Sequence, residues 1–122
     1  MDQIINRYKA LSDETRLRIL LLLSKRELCV CQLQGILEES QPKISKHLRK
    51  LKDLNAVWDL RKDQFVYYAL NQEDTLLLES LSLLCNEIPN NEVLARDQKR
   101  LEMAEKFLSQ CSSLTKIEVE RG

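Results

Sequence analysis

The sequence is poor in turn formers, with 2 glycines and 2 prolines in 122 residues. Sandwiches, barrels and low-complexity linkers need many more of both, so the scarcity points to a mostly helical fold. Long apolar runs are missing too. The leucine-rich stretch 19–23 falls far short of the ~20 residues of a membrane span, so no membrane partner is expected. The opening Met-Asp-Gln-Ile-Ile-Asn-Arg lacks the basic start and apolar core of a secretory signal, so a cytoplasmic protein is expected. Thiols stay reduced in that compartment. The sequence shows no acid–base pair, no nucleophile–base pattern and no phosphate loop, so enzymatic turnover is not expected. Nor does net charge mark a partner, because 19 basic side chains balance 19 acidic ones.

What is present is an ordinary globular balance, 43% hydrophobic and 31% charged, over a length that suits a single domain, 1–122. A chain this short buries a modest core, and such domains are often stabilised by dimerisation. The charge is unevenly placed. Residues 41–70 carry seven basic side chains against three acidic ones, whereas residues 71–122 carry six basic against ten acidic. The pI of 6.6 therefore hides a basic middle and does not exclude a polyanionic partner.

Ile4, Tyr8 and Leu11 recur at helical spacing and predict a first short helix. Ser12 is the expected cap of a second, with Asp13 and Glu14 in its first turn and Leu17, Leu20 and Leu21 turned to a core. A third helix fits residues 30–37. A fourth fits 42–54, with Ser40 as its cap and Pro42 in the first turn. The period then changes. Residues 57–60 and 65–70 are β-branched and aromatic runs flanking Arg61-Lys62-Asp63-Gln64, a polar four-residue connection that predicts a hairpin. Helical spacing returns at Glu73, with Leu77, Leu81, Leu84 and Ile88 on one stripe until Pro89-Asn90-Asn91 breaks it. Leu94, Leu101, Ala104, Leu108 and Cys111 then form a heptad-like seam. This order is that of a winged helix-turn-helix, a mainly α (α+β) fold. The helix-turn-helix covers about 30–54, a two-stranded wing about 57–70, and flanking dimerisation helices about 3–10 and 73–111. A three-helix core cannot cover all the flanking apolar stripes, and a second copy of the chain is the simplest cover.

In the 42–54 helix, Ile44, Leu48 and Leu51 define the buried face. Lys43, Lys46, Arg49 and Lys50 then lie on or near the opposite face, with Ser45 and His47 on its flanks. Cations there would neutralise phosphates, while Gln41, Ser45 and His47 can hydrogen-bond to bases or phosphate. Arg61 and Lys62 at the hairpin tip would reach the neighbouring backbone. On the helix alone the pattern reads as a solvated charged face; the helix-turn-helix order and the basic tip turn it toward double-stranded DNA. His47, the only histidine, reads as a DNA contact or a packed side chain rather than as a metal ligand.

The four cysteines read as metal ligands, sensors or small buried hydrophobes rather than as disulfides. Cys29 and Cys31 open the third helix. Thiols two residues apart cannot face each other in a regular helix; they converge only where the backbone is extended or distorted, as at a helix start. A soft thiophilic ion can hold two such thiolates together, and strain there would tilt the helix that follows. Cys85 and Cys111 fall on apolar stripes and read first as packing residues. A second dithiol, or completion of the first, is their alternative role.

Glu27-Leu28-Cys29-Val30-Cys31 and Ser40-Gln41-Pro42-Lys43-Ile44-Ser45-Lys46-His47-Leu48 resemble the ArsR/SmtB family of bacterial metalloregulatory repressors. Ala10-Leu11-Ser12-Asp13-Glu14-Thr15-Arg16-Leu17-Arg18-Ile19 is similar to that family's early helix, so the resemblance spans about residues 8–70. It implies a homodimer that binds a roughly palindromic operator, represses a metal or metalloid resistance operon, and needs no cofactor to fold. It also implies that Cys29 and Cys31 are inducer thiolates and that Gln41, Ser45, Lys46 and His47 lie on the DNA-reading helix.

Two departures narrow the inducer. The arsenic-sensing pattern carries a third cysteine where this sequence has Gln34. The zinc-sensing branch uses Asp and His ligands on the C-terminal helix, where this sequence has no histidine. As(III), Sb(III) or methylarsenite is the inducer expected, the last because it already carries a carbon ligand and suits two sulfurs. Oxidation of the thiols is an alternative signal for the same repressor. A small thiol protein that carries metal without binding DNA is a further alternative, and it leaves the 41–47 face and the basic wing unexplained.

Overall fold

Residues 19–23 are apolar without a break, and a helix apolar on all sides belongs at the centre of a fold. The computed structural model, which describes residues 1–109, places it there. The chain runs α1 (Asp2–Leu11), α2 (Glu14–Leu23), β1 (Leu28–Cys29), α3 (Val30–Leu37), α4 (Gln41–Asp53), β2 (Val57–Lys62), β3 (Phe65–Leu70), α5 (Thr75–Leu84) and α6 (Glu92–Arg100). Short 3-10 segments, Cys85–Asn90 and Leu101–Met103, follow α5 and α6, and 104–109 is helical again. Ile19 to Leu23 of α2 share one core with Leu33 and Ile36 of α3, Ile44, Leu48 and Leu51 of α4, and Leu77 and Leu81 of α5. Burying one Leu or Ile side chain is worth roughly 1.5–3 kcal/mol, so this cluster is the main source of stability.

The winged helix-turn-helix expected from the sequence is the architecture observed, with differences at several joints. Asp13 rather than Ser12 caps α2: its carboxylate accepts the Arg16 N–H at 3.0 Å. Ser12 instead closes α1, its hydroxyl donating to the Lys9 carbonyl at 3.1 Å. A carboxylate caps as well as a hydroxyl and adds a favourable charge at the helix N-terminus. α3 spans the expected residues, and Ser40 caps α4 by accepting the Lys43 N–H at 3.4 Å. α4 stops in a Schellman turn. Asn55 is left-handed (φ 60), and the Ala56 and Asn55 N–H groups donate back to the Leu51 and Lys52 carbonyls, both at 2.9 Å.

The wing gains a strand the sequence did not advertise. β1 pairs antiparallel with β3 (Leu28 opposite Tyr68, Cys29 opposite Tyr67), giving the order β1-β3-β2. A strand of two residues has no periodicity to read. β2 also runs on through Arg61 and Lys62, so the connection shortens from four residues to Asp63-Gln64. Asp63 takes the left-handed conformation (φ 57), which Asp tolerates better than most residues. Side chains alternate across a strand, so Arg61 shares the face of Val57 and Asp59 while Lys62 points to the other. The Arg61 face looks toward α4, because Asp59 accepts from Lys52 Nζ at 2.8 Å.

The C-terminal helices are not left wholly free. Asp74 caps α5, accepting the Leu77 N–H at 3.1 Å, so that helix starts two residues after Glu73. Leu94, Leu101, Ala104 and Phe107 pack on the core of their own chain. The apolar side chains still exposed are mainly on α1 (Ile4, Ile5, Tyr8) and α5 (Leu76, Leu83). No helix of the described residues is long and apolar enough to cross a membrane.

Candidate nucleic-acid interface and thiol turn

α4 carries its apolar side chains inward, with Ile44, Leu48 and Leu51 buried, and this orients everything else on the helix. Gln41, Lys43, Lys46, Arg49 and Lys50 are exposed, and Ser45 is half-buried beside them. Gln41 donates its side-chain amide to the Ser45 hydroxyl at 2.8 Å, pre-setting the polar start of the helix. The cations differ in their freedom. Lys43 is paired with Glu39 at 3.1 Å and Lys52 with Asp59, whereas Lys46, Arg49, Lys50 and Arg61 form no ion pair among the described residues. A cation without an internal partner is available to neutralise a phosphate. Ser45, Arg49 and Lys52 line one side of a groove of about 290 Å³ whose other side is Tyr68 of β3.

Two of the expected contacts are placed differently. His47 is 8% exposed, on the inner side of α4. Its Nδ1 lies 3.8 Å from Asp13 Oδ1, too long for a hydrogen bond, and has no other partner among the described residues. Burial, opposed by Asp13 and assisted by Arg16, Lys46 and Lys43, holds the imidazole below its ordinary pKa. His47 is the packed side chain of the two readings and is not on the exposed face. Lys62 is tied to Glu27 and lies 5.8 Å from the centre of the Tyr67 ring, on the wing face away from α4. Arg61 is the tip cation on the α4 side.

The thiol turn lies at the head of α3. Cys29 ends β1 and is the N-cap of α3, with an extended backbone (φ −93, ψ 171), which is one of the settings in which nearby thiols can converge. Its sulfur faces the Gln32 backbone N–H, and its own N–H donates to Gln32 Oε1 at 3.0 Å. Cys29 is a buried free thiol. Burial pushes its pKa up, against the pull of the backbone N–H groups of Gln32 and Cys31. Cys31, half-buried in the first turn, is disulfide-bonded and not a free thiol, against the expectation that the cysteines stay reduced. Cys85, also a free thiol, starts the 3-10 segment after α5, 3.9 Å from the Ser24 hydroxyl. It lines a cavity of about 320 Å³ with Leu23, Lys25, Leu70 and Leu81, one that neither Cys29 nor Cys31 lines. Cys111 lies outside the described residues. Among the described residues no three His, Cys, Asp or Glu side chains cluster as a metal site.

Several residues at the site escape a pattern reading. Gln32 is fully buried and joins the thiol turn to the C-terminal helix, its Nε2 donating to the Ala104 carbonyl at 3.2 Å. A signal for it existed: Cys29-x-x-Gln32 has the spacing of a capping box, with sulfur in place of the usual hydroxyl. Arg18, Asp97 and Arg100 had none, because Arg18 and Asp97 lie 79 residues apart and the carbonyls that Arg100 meets lie 64 and 65 residues from it.

A model of the family described as bacterial regulatory protein, arsR family, matches residues 13–57, which contain the thiol turn and all of α4. The chain is 51% identical over 67 residues to the arsenic resistance transcriptional regulator ArsR1 of Pseudomonas putida, covering 54% of this chain and 52% of that protein. It is 41% identical over 80 residues to the arsenical resistance operon repressor of Bacillus subtilis, covering 65% of this chain and 76% of that protein. The chain spans about half the length of the curated arsenic-resistance regulators from Pseudomonas putida and Escherichia coli that it matches. Among solved structures, HlyU from Vibrio cholerae superposes with a TM-score of 0.65 at 33% identity, covering 69% of this chain and 89% of that one. Mb0332 of Mycobacterium bovis, described as a homodimeric winged helix-turn-helix DNA-binding domain, gives 0.62 at 29% identity, covering 70% and 81%. The curated relatives named here are transcriptional regulators, not enzymes. With a helix-turn-helix in the right order and a relative matched over three-quarters of its length, the chain belongs to the arsR family of bacterial regulatory proteins.

Proposed function

We propose that the chain is a homodimeric repressor of a metalloid resistance operon, bound to a roughly palindromic DNA operator and released by a thiophilic species. The observation that carries the DNA reading is the row of cations with no ion pair among the described residues, Lys46, Arg49 and Lys50, beside Gln41 and Ser45 on the exposed face of α4. α4 enters the major groove, and Arg61 meets the flanking backbone. The exposed Ile4, Ile5 and Tyr8 of α1, with Leu76 and Leu83 of α5, supply the apolar surface on which two protomers join. Relatives named for arsenic and arsenical resistance support the operon's role.

The inducer is As(III), Sb(III) or methylarsenite, and its ligands are the thiolate of Cys29 and, in the protein with its disulfide bond reduced, that of Cys31. Binding displaces the proton of the Cys29 thiol, so the ion itself overcomes the burial that keeps Cys29 protonated. With Gln34 in the place of a third sulfur, two local thiolates suit methylarsenite, and an inorganic ion takes its third from Cys85 or Cys111.

The test is binding to duplex DNA from directly upstream of the chain's own coding sequence, with and without arsenite. Lys46→Glu should weaken binding to every duplex and flatten its salt dependence. Cys29→Ser and Cys31→Ser should bind as the wild type does and ignore arsenite, since serine is no soft ligand at neutral pH. Equal binding by Lys46→Glu would overturn the DNA assignment, and full release of both serine variants would move the sensor elsewhere.

A further inference from the structure

The last carbonyls of a helix have no partner within it. In α3 these are the carbonyls of Gln34, Gly35, Ile36 and Leu37, and only the first is met by the local chain, through the Glu38 N–H at 2.8 Å. The other three are met by guanidinium groups. Arg100 donates from Nη2 to the Gly35 carbonyl at 2.6 Å and from Nε to the Ile36 carbonyl at 2.9 Å. Arg18 donates to the Leu37 carbonyl at 3.4 Å and is itself held by Asp97 of α6. Glu38, left-handed at φ 56, then receives Arg96 at 3.1 Å and Arg100 at 3.4 Å. The Arg100 guanidinium lies 5.5 Å from the centre of the Phe107 ring, and that ring fills the space where a side chain at residue 35 would stand. Only Glu38, Glu39 and Ser40 separate this end of α3 from α4. The other end of α3 is held by the same segment, through Gln32 and the Ala104 carbonyl.

We infer that residues 92–109 form a clamp that sets the angle of α4, with Arg100 as a positioning residue for DNA binding. Arg100 is turned into the protein to cap α3, so it acts on the reading helix through the α3–α4 turn rather than by touching nucleic acid. A positive charge at a helix C-terminus is favourable, and here it comes from a segment outside the residues the family model matches. The inference rests on the DNA reading proposed above.

The test measures the affinity of full-length wild type, Arg100→Ala and Arg100→Lys for the upstream duplex over a series of salt concentrations. Amide hydrogen exchange of residues 35–44 is followed in parallel on the free proteins. Arg100→Ala should bind roughly three- to thirtyfold more weakly, with an unchanged slope of log affinity against log salt, because no phosphate contact is lost. Its exchange at 35–44 should quicken. Arg100→Lys should fall between the two, since an ammonium can reach one of the two carbonyls, and it carries the test alone if the alanine variant does not fold. Equal affinity of wild type and Arg100→Ala overturns the clamp. A salt slope shallower by about one also overturns it, because Arg100 would then be a phosphate contact. If the wild type binds no DNA, the DNA reading fails instead, and unchanged exchange in Arg100→Ala would refute the clamp independently of it.

Discussion

Replacing Asp97 by alanine should be among the most damaging single changes to this fold. Asp97 is 1% exposed and receives Arg18 through two bonds, Nε to Oδ2 at 2.8 Å and Nη2 to Oδ1 at 2.9 Å. Arg18 is itself 8% exposed, and a guanidinium is too basic to escape by losing its proton once Asp97 is gone. Alanine at residue 97 leaves that guanidinium buried without its counterion. Breaking a buried pair in this way costs about 3–5 kcal/mol, against a total stability of about 5–15 kcal/mol for a domain. For a chain of this length the loss lowers the melting temperature by on the order of 10–20 °C. Replacing both partners, Arg18→Met with Asp97→Leu, should recover most of it, because the pair's attraction roughly offsets the cost of desolvating two charges. Recovery is incomplete, since the Leu37 carbonyl also loses its donor. Urea unfolding at fixed protomer concentration reads the effect as a lower midpoint with an unchanged m-value. A loss below about 1 kcal/mol in Asp97→Ala, or a double variant as unstable as the single, would refute the argument.

Gly35→Ala tests packing at the same helix. Ala in a helix is normally favoured over Gly by about 1 kcal/mol, but here its Cβ would collide with Phe107 ring carbons, so the variant should be less stable. Adding Phe107→Ala should reverse the sign of the Gly35→Ala step, and a urea midpoint raised by Gly35→Ala when Phe107 is still present would refute the clash. His47 predicts a pH dependence. Its folded pKa lies below 6.5, so the unfolded chain takes up the proton first, and stability should be full above pH 6.5 and fall as pH drops through that value toward the folded pKa. His47→Gln should flatten the urea midpoint between about pH 7.5 and 5.5, while Asp13, whose carboxyl is held below 3.8, acts only under that window. Identical pH profiles in the two proteins would remove His47 from the account.

The parts of the fold that repeat locally were legible in the sequence. The buried row Ile44, Leu48, Leu51 fixed the outward direction of Lys46, Arg49 and Lys50, because helical periodicity orients both faces at once. Ser40 before Pro42 marked the start of α4 for a similar reason, since capping chemistry acts over three residues. Elements defined by a distant partner were not legible. β1 exists only because β3 lies alongside it, and Leu28-Cys29 has no period of its own. His47 is a flank residue by helical angle, yet it is buried, with its ring 3.8 Å from the α2 cap Asp13, a neighbour distant in the chain. Of the apolar C-terminal seam, the chain packs Leu94, Leu101 and Ala104 on its own core.

These placements make α3 the element on which the proposed signal would act. At its head, Cys29 is both the candidate ligand and the residue that caps the helix, with its sulfur facing the Gln32 N–H. A sulfur drawn into an inducer complex cannot keep that position, so ligation competes with the cap. At its tail, three carbonyls are held by Arg100 and Arg18, and the chain passes within three residues into α4. An eight-residue helix is about 12 Å long, short enough to move as one piece. An inducer shifts DNA binding only as far as it prefers one arrangement of the protein over another. On the proposed reading, the two arrangements would differ in whether the head of α3 is capped by Cys29, and the guanidinium contacts at its tail would carry the change to the reading helix.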